Sequence, residues 1–259
     1  MKRKAGELRL RVFAGPNGSG KSTIIEAIKN TKIGGYKVDL GTYINADDIA
    51  QALLENRFSF SKYNTKVSKK EIMYFAQYSG LLDKKFTVTA LDSMFSVTKN
   101  SIKLLDDLFF QNLAQLVARF LRERLLKEQR RFSFETVFSH ESNIDIMRRA
   151  NDAGYKVYLY FVSTESPEIN KYRVQVRVKQ KGHAVPEDKI ESRYYRSLGF
   201  LYEAAELAYQ CYFFDNSIND EPFSLVNHFK KKGIEKIWDK KKKTEFTNWF
   251  IKYYWNKRV

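Results

Sequence analysis

Gly15-Pro16-Asn17-Gly18-Ser19-Gly20-Lys21-Ser22 sets three glycines, a lysine and a hydroxyl at the spacing GxxxxGK[ST]. Glycines at Gly15, Gly18 and Gly20 let a backbone turn tightly with its N–H groups pointing inward, which makes a cradle for phosphate oxygens. Lys21 is then placed to reach the β- and γ-phosphates of a nucleoside triphosphate, ATP or GTP. The Ser22 hydroxyl is placed to take one position on Mg²⁺, with Thr23 beside it. The motif means this only between a strand and a helix, and the flanking residues have that form. Leu8 to Ala14 alternates apolar and basic residues before closing on Phe13-Ala14, and Ile24, Ile25 and Ile28 line one face of a helix.

Two acidic positions follow. Asp47 and Asp48 lie just past the end of a second predicted strand, where open α/β sheets form their ligand crevice. A carboxylate there could take the proton of a substrate hydroxyl or help hold Mg²⁺. The same residues would also favour the positive end of the next helix, so position alone leaves both readings open. Glu135 sits within Phe132-Ser133-Phe134-Glu135-Thr136-Val137-Phe138, a strongly apolar strand where a carboxylate is costly unless paired. It is expected to face the site, on substrate hydroxyls, Mg²⁺ or a basic group; a structural ion pair is the alternative.

A basic cluster completes the set. Arg173 and Arg177 are four apart on a predicted helix and so share a face. Gly182, His183 and then Arg193 and Arg196 follow them. Arginines of a mobile cap neutralise charge in phosphoryl transfer, and Gly182 would be the hinge of such a cap. Solvated helix arginines are the plain alternative. His183 is read as structural or substrate-orienting.

The elements that must position these groups alternate strand and helix, which predicts an α/β fold with a mainly parallel central sheet and helices on both faces. Strands are predicted at 8–14, 42–45, 132–138, 155–162 and 211–214. Helices are predicted at 21–29, 47–55, 102–128, 143–153, 166–179 and 187–209. Residues 56–101 read as a helical insertion after the second strand, since a structureless loop of that length is rare in a compact domain. The predicted partition is a catalytic domain over 1–217 and a basic, aromatic extension over 218–259.

The chain has 259 residues, 43% of them apolar, enough to bury a substantial core. No apolar run approaches membrane-spanning length, and the basic start lacks the apolar stretch of a secretory signal. Cys211 is the single cysteine, inside the run Cys211-Tyr212-Phe213-Phe214, and reads as a small core residue. One cysteine excludes an internal disulfide and fits a reducing cytoplasm; with three histidines it makes a structural zinc site a poor fit. Half of the net charge of +16 lies in 230–259, with eleven Lys/Arg against three Asp/Glu. Those lysines could follow nucleic-acid phosphates or simply be solvated. Phe246, Trp249, Phe250, Tyr253, Tyr254 and Trp255 have the spacing of a helix docked on the body, with base stacking as the other use.

In order, AGPNGSGKST, YINADDIA, FSFETVFSH, NKYRVQVRVKQKGHAVPEDKIESRYYRSL and FFDNS resemble the zeta toxin family of P-loop kinases, over most of Leu8 to Ser217. The resemblance implies a P-loop kinase fold and phosphotransfer from ATP or GTP with Mg²⁺. The family's known acceptor is a hydroxyl on the amino-sugar of UDP-N-acetylglucosamine. By the same matching, Asp47 takes the place of the catalytic base with Asp48 secondary, and Lys21 and Ser22 make the phosphate and Mg²⁺ contacts. Glu135 matches a substrate-site glutamate, with Thr136 and Arg193 placed beside the acceptor. Arg173 and Arg177 match arginines that clamp the triphosphate. A small antitoxin protein is the implied partner. The region between base and glutamate departs from the family, so the hydroxyl acceptor is not carried over. A polynucleotide or RNA-end kinase, or a non-catalytic nucleotide-binding module, are the alternatives on the same core.

Overall fold

A computed structural model describes residues 7–180 and 185–258. In chain order they form β1 (Arg9–Ala14), α1 (Lys21–Asn30), the hairpin strands β2 (Lys32–Ile33) and β3 (Tyr36–Lys37), β4 (Thr42–Ile44) and α2 (Ala46–Leu54). Next come α3 (Lys69–Tyr78), α4 (Val88–Met94), β5 (Phe95–Thr98), β6 (Ser101–Leu104) and α5 (Phe110–Lys127). The chain continues through β7 (Phe132–Thr136), α6 (Ser142–Asp152), β8 (Lys156–Ser163), α7 (Pro167–Lys179), α8 (Glu187–Gly199) and α9 (Leu201–Leu207). It ends in β9 (Gln210–Asp215), β10 (Ser224–Lys232), β11 (Glu235–Trp238) and α10 (Asn248–Tyr253). These elements make two compact units, one of residues Met1–Gly41 with Arg131–Val259 and one of Thr42–Arg130.

In the first unit the strands lie in the order β7-β1-β8-β9-β10-β11. The first four run parallel, with Phe13 opposite Glu135 and Tyr160, and β10 and β11 add on antiparallel. Near-continuous apolar runs put Leu10, Val12, Phe13 and Ala14 of β1 and Leu159, Phe161 and Val162 of β8 at zero exposure. Such runs suit parallel strands buried on both faces. Register between β1 and β7 then sets Ala14 beside Thr136, so the end of β7 stands next to the point where the glycine loop leaves β1.

β10 and β11 are a finding that the sequence reading lacked. The lysine-rich stretch carries Val226 and Phe229 inward, and Lys231 and Lys236 are both tied to Glu206. The aromatics that follow close over β9: Phe213 lies 4.7 Å from Phe250 and 4.8 Å from Tyr254 between ring centroids. Burying rings of this size stabilises by about 1.5–3 kcal/mol each. Cys211 is fully buried in the same layer, and burial pushes its thiol well above the usual range. Its thiolate is therefore suppressed at neutral pH. We expect Cys211 to resist iodoacetamide in the native chain and to react only after denaturation, as peptide mass mapping would record.

The second unit is built on α2 and α5, with Leu53, Leu113, Leu116, Val117 and Leu121 fully buried. Its α3 begins with a capping box in which Ser68 and Glu71 exchange hydrogen bonds. Residues predicted as a helix from 102 are instead β6, paired with β5 across Lys99-Asn100, both at positive φ (49° and 65°). Asn tolerates that backbone, and its side chain holds Val67 N, Thr65 O and Ser61 Oγ, so a hairpin replaces the first helical turns. The helix starts only at Phe110. The insertion is therefore mixed: two α-helices, a 3₁₀ turn at Phe60–Tyr63 and the hairpin strand β5 fall within 56–101. The helix predicted over 187–209 is also two, parted after Gly199, a residue with poor helix propensity.

Candidate active site

The glycine loop occupies the crevice end of the parallel strands. At Gly15 φ is +148°, and an added Cβ would lie 2.0 Å from the Val162 carbonyl oxygen at the end of β8. At Gly20 φ is +93°, and a Cβ would lie 2.1 Å from Asn216 Nδ2 in the loop after β9. At Gly15 a backbone oxygen blocks any side chain, and at Gly20 the positive φ strains one and would displace the Asn216 amide. Pro16, Asn17 and Gly18 form the outer turn, which closes through the Ser19 N–H donating to the Pro16 carbonyl at 3.3 Å. We expect Gly15→Ala to cost more than about 2 kcal/mol of stability in a denaturant titration, since both the φ and a backbone neighbour oppose it. A loss below about 0.5 kcal/mol would mean the loop is slack.

Lys21 opens α1, and its side chain is buried. Its ammonium donates to the Pro16 carbonyl at 2.9 Å and stands 3.9 Å from Glu135 Oε1. Glu135 comes from β7 with its side chain 14% exposed. The costly carboxylate in the apolar strand is thus set against the costly ammonium, which answers the pairing demanded of it. The first turn of α1 has no acidic residue. Its positive end is therefore left to an anion, with Ser22 and Thr23 exposed beside it. The Ser19 hydroxyl is buried and has no hydrogen-bond partner among the described residues. Glycine cradle, ammonium, open helix end and orphaned hydroxyl together fit a polyphosphate.

Thr136 follows Glu135; its hydroxyl donates to Asn143 Oδ1 at 3.3 Å and accepts from the Phe138 N–H at 3.1 Å. Arg173 was expected on the triphosphate. In the structure its guanidinium grips the loop after β9, donating to Asn219 Oδ1 (2.9 Å), the Asn216 carbonyl (2.6 Å) and the Ile218 carbonyl (3.2 Å). Arg177 is exposed near the end of α7. Arg193 is half-buried on α8, and its pKa is lowered first by burial and then by Arg196. Asp47 and Asp48 belong to the second unit, exposed in the first turn of α2, where Asn45 Oδ1 caps the helix by accepting from the Asp47 N–H at 2.8 Å. Gly182 and His183 lie outside the described residues.

Three residues that sequence reasoning passed over belong to this constellation. Asn216 donates through Nδ2 to the Ser19 carbonyl at 3.0 Å. Asn170 is fully buried, its Nδ2 without a partner among the described residues and its backbone carbonyl close against Gly18. Asp215 accepts from the Trp249 indole at 2.8 Å. The available signal was an acid and an amide ending an apolar strand, Phe213-Phe214-Asp215-Asn216.

No family model matches the chain. It is 35% identical over 69 residues to an uncharacterised protein of Haemophilus influenzae, a match covering 27% of this chain and 49% of that protein. Among solved structures, 90% of the chain aligns with 61% of a chain in the AvrRxo1-ORF1:AvrRxo1-ORF2 crystal structure with sulphate ions, at TM-score 0.50 and 16% identity. Another similar structure comes from the PezAT chromosomal toxin–antitoxin system of Streptococcus pneumoniae (TM-score 0.47, 13% identity, covering 83% of this chain and 70% of that one). The chain thus spans about half of the curated relative and under two thirds of the AvrRxo1 chain.

The fold is α/β with a mainly parallel central sheet flanked by helices, as in the AvrRxo1 chain. In this fold the strand-loop-helix β1-loop-α1 carries the cradle, β7 brings the carboxylate, and the β9 end supplies the amide that braces Ser19.

Proposed function

We propose that the protein is a phosphotransferase of the zeta toxin type. It moves the γ-phosphoryl group of ATP or GTP to a hydroxyl of a small molecule, for which UDP-N-acetylglucosamine is the first candidate to test. The observation that carries this reading is Lys21, buried at the mouth of the glycine cradle with its ammonium between the Pro16 carbonyl and Glu135. A buried lysine at the end of a glycine loop is suited to charge that builds on a transferring phosphoryl.

In the proposed reaction, an acceptor hydroxyl oxygen bonds to the γ-phosphorus while the bond to the β–γ bridging oxygen breaks. The proton passes to Asp47, and the nucleoside diphosphate leaves. Lys21 and the loop N–H groups take up the charge on the transferring group and leaving oxygen. Ser22 would help hold Mg²⁺, which when bound would supply neutralising charge to the phosphates. Glu135 and Thr136 face the acceptor, with Asp48 in support of Asp47. Arg177 is the arginine proposed for the triphosphate, and Arg193 is proposed beside the acceptor; a guanidinium already depressed by burial and by Arg196 gains from an anion there. A small protein partner is proposed on the zeta toxin resemblance alone.

Of the tail aromatics, Phe246, Trp249, Phe250 and Tyr254 are buried in the core, which leaves only the half-buried Tyr253 and Trp255 for base stacking in the alternative reading of an RNA acceptor. Incubation with ATP and Mg²⁺, offering UDP-N-acetylglucosamine and a 5′-hydroxyl RNA in parallel, tests the acceptor by mass spectrometry. A phosphorylated sugar nucleotide is expected; phosphate on the RNA alone would replace this reading with a polynucleotide kinase.

A further inference from the structure

We infer that α10 acts through Trp249 as a strut for the phosphate-binding loop, with Asp215, Asn216 and Arg173 as positioning residues. The inference rests on the nucleotide-site reading above, and it gives the C-terminal extension a role at that site.

The connection can be followed bond by bond. Trp249 is 2% exposed and Asp215 is 9% exposed. A carboxylate so buried needs donors. Asp215 Oδ2 accepts from Trp249 Nε1 at 2.8 Å and from Ser217 Oγ at 2.8 Å, while Oδ1 accepts from the Ser217 N–H at 3.0 Å. Ser217 Oγ accepts in turn from the Glu165 N–H at 2.8 Å, and the Asn248 N–H at the start of α10 donates to Glu165 Oε1 at 2.8 Å. The helix therefore grips both sides of the loop after β9.

Between Asp215 and Ser217 stands Asn216, fixed through every polar group it has apart from its side-chain oxygen. Its N–H donates to the Ser163 carbonyl at 2.9 Å, its carbonyl accepts from Arg173 Nη1 at 2.6 Å, and Nδ2 donates to the Ser19 carbonyl at 3.0 Å. In a trans peptide the C=O and the following N–H point in opposite directions. Holding the Ser19 carbonyl on the Asn216 side thus turns the Gly20 N–H away from it. That orients one of the donors a phosphate cradle depends on. The lack of a Cβ at Gly20 is what allows Asn216 to come so close. Arg173, with three nitrogens on 216–219, sets where Asn216 stands.

Trp249→Phe keeps an aromatic ring of smaller size and removes the donor. Phe250→Leu, on the same helix, removes packing against Phe213 and leaves the Asp215 bond. Hydrogen exchange over 15–22 and 215–218 in the nucleotide-free chain, and ATP affinity with Mg²⁺, separate the two. For Trp249→Phe we expect faster exchange in both segments and about tenfold weaker ATP binding, about 1.4 kcal/mol. For Phe250→Leu we expect a lower melting temperature with exchange and affinity in place. Asn216→Ala should weaken ATP binding at least as much, and adding Trp249→Phe to it should change little more. The strut is overturned if Trp249→Phe matches wild type in both readouts, or if Phe250→Leu degrades them equally. Should Trp249→Phe fail to fold, Asp215→Ala, which removes the acceptor of the Trp249 indole, decides by the same exchange readout. If wild type binds no ATP, the nucleotide reading fails and the exchange comparison alone decides the strut.

Discussion

Lys21→Ala is expected to lower phosphoryl transfer by about 10²–10³-fold, the scale of losing one preorganised donor to developing charge. Lys21 is the cation held within the cradle itself, anchored to the Pro16 carbonyl and facing Glu135. Alanine removes the ammonium and also leaves Glu135 without that partner, so some stability is lost as well. Lys21→Met keeps most of the bulk and isolates the charge. Both variants should show the same collapse in initial rate with γ-labelled ATP while their melting temperatures differ. A Lys21→Met enzyme within threefold of wild type would mean that Lys21 is a structural partner of Glu135 and nothing more.

Asp47→Ala is expected to reduce transfer by about 10²–10⁴-fold, the usual worth of a positioned general base, with ATP affinity changed less than twofold. The competing role is local. Asp47 sits in the first turn of α2 with its own N–H capped by Asn45, where a negative charge favours the helix end by about 0.3–1 kcal/mol. The two roles separate cleanly: a helix-end role lowers stability slightly and leaves the rate alone. Asp47→Asn should lose the rate as fully as alanine, because the amide cannot accept the proton. Asp48→Asn should cost far less. Initial rates and thermal melts of the three variants, run side by side, decide the assignment.

The strand-loop-helix around Gly15–Ser22 was legible because its geometry is local: the glycines, the lysine and the flanking periodicities lie within a short span. Glu135 was legible for a different reason, since a carboxylate in an apolar strand demands a partner wherever the chain goes. Spacing could not show what Arg173 holds. Its partners at Asn216, Ile218 and Asn219 lie more than 40 residues away. Trp249 and Asp215, 34 apart, escaped for the same reason. β10 was hidden by its lysines and by an irregularity between Leu225 and Asn227, which breaks the two-residue alternation a strand is read from. Ile102, Leu104 and Leu105 make a pattern too short for periodicity to separate helix from strand, and the turn at Lys99-Asn100 decided it.

The claim at the centre of the account is that the Gly15–Ser22 loop holds a nucleoside triphosphate. Calorimetric titration of ATP with Mg²⁺ into the nucleotide-free chain, and into Lys21→Ala, tests it most directly. The account predicts saturable one-to-one binding by wild type and at least tenfold weaker binding by the variant. Equal affinity in the two proteins, or no binding by either ATP or GTP, would contradict it.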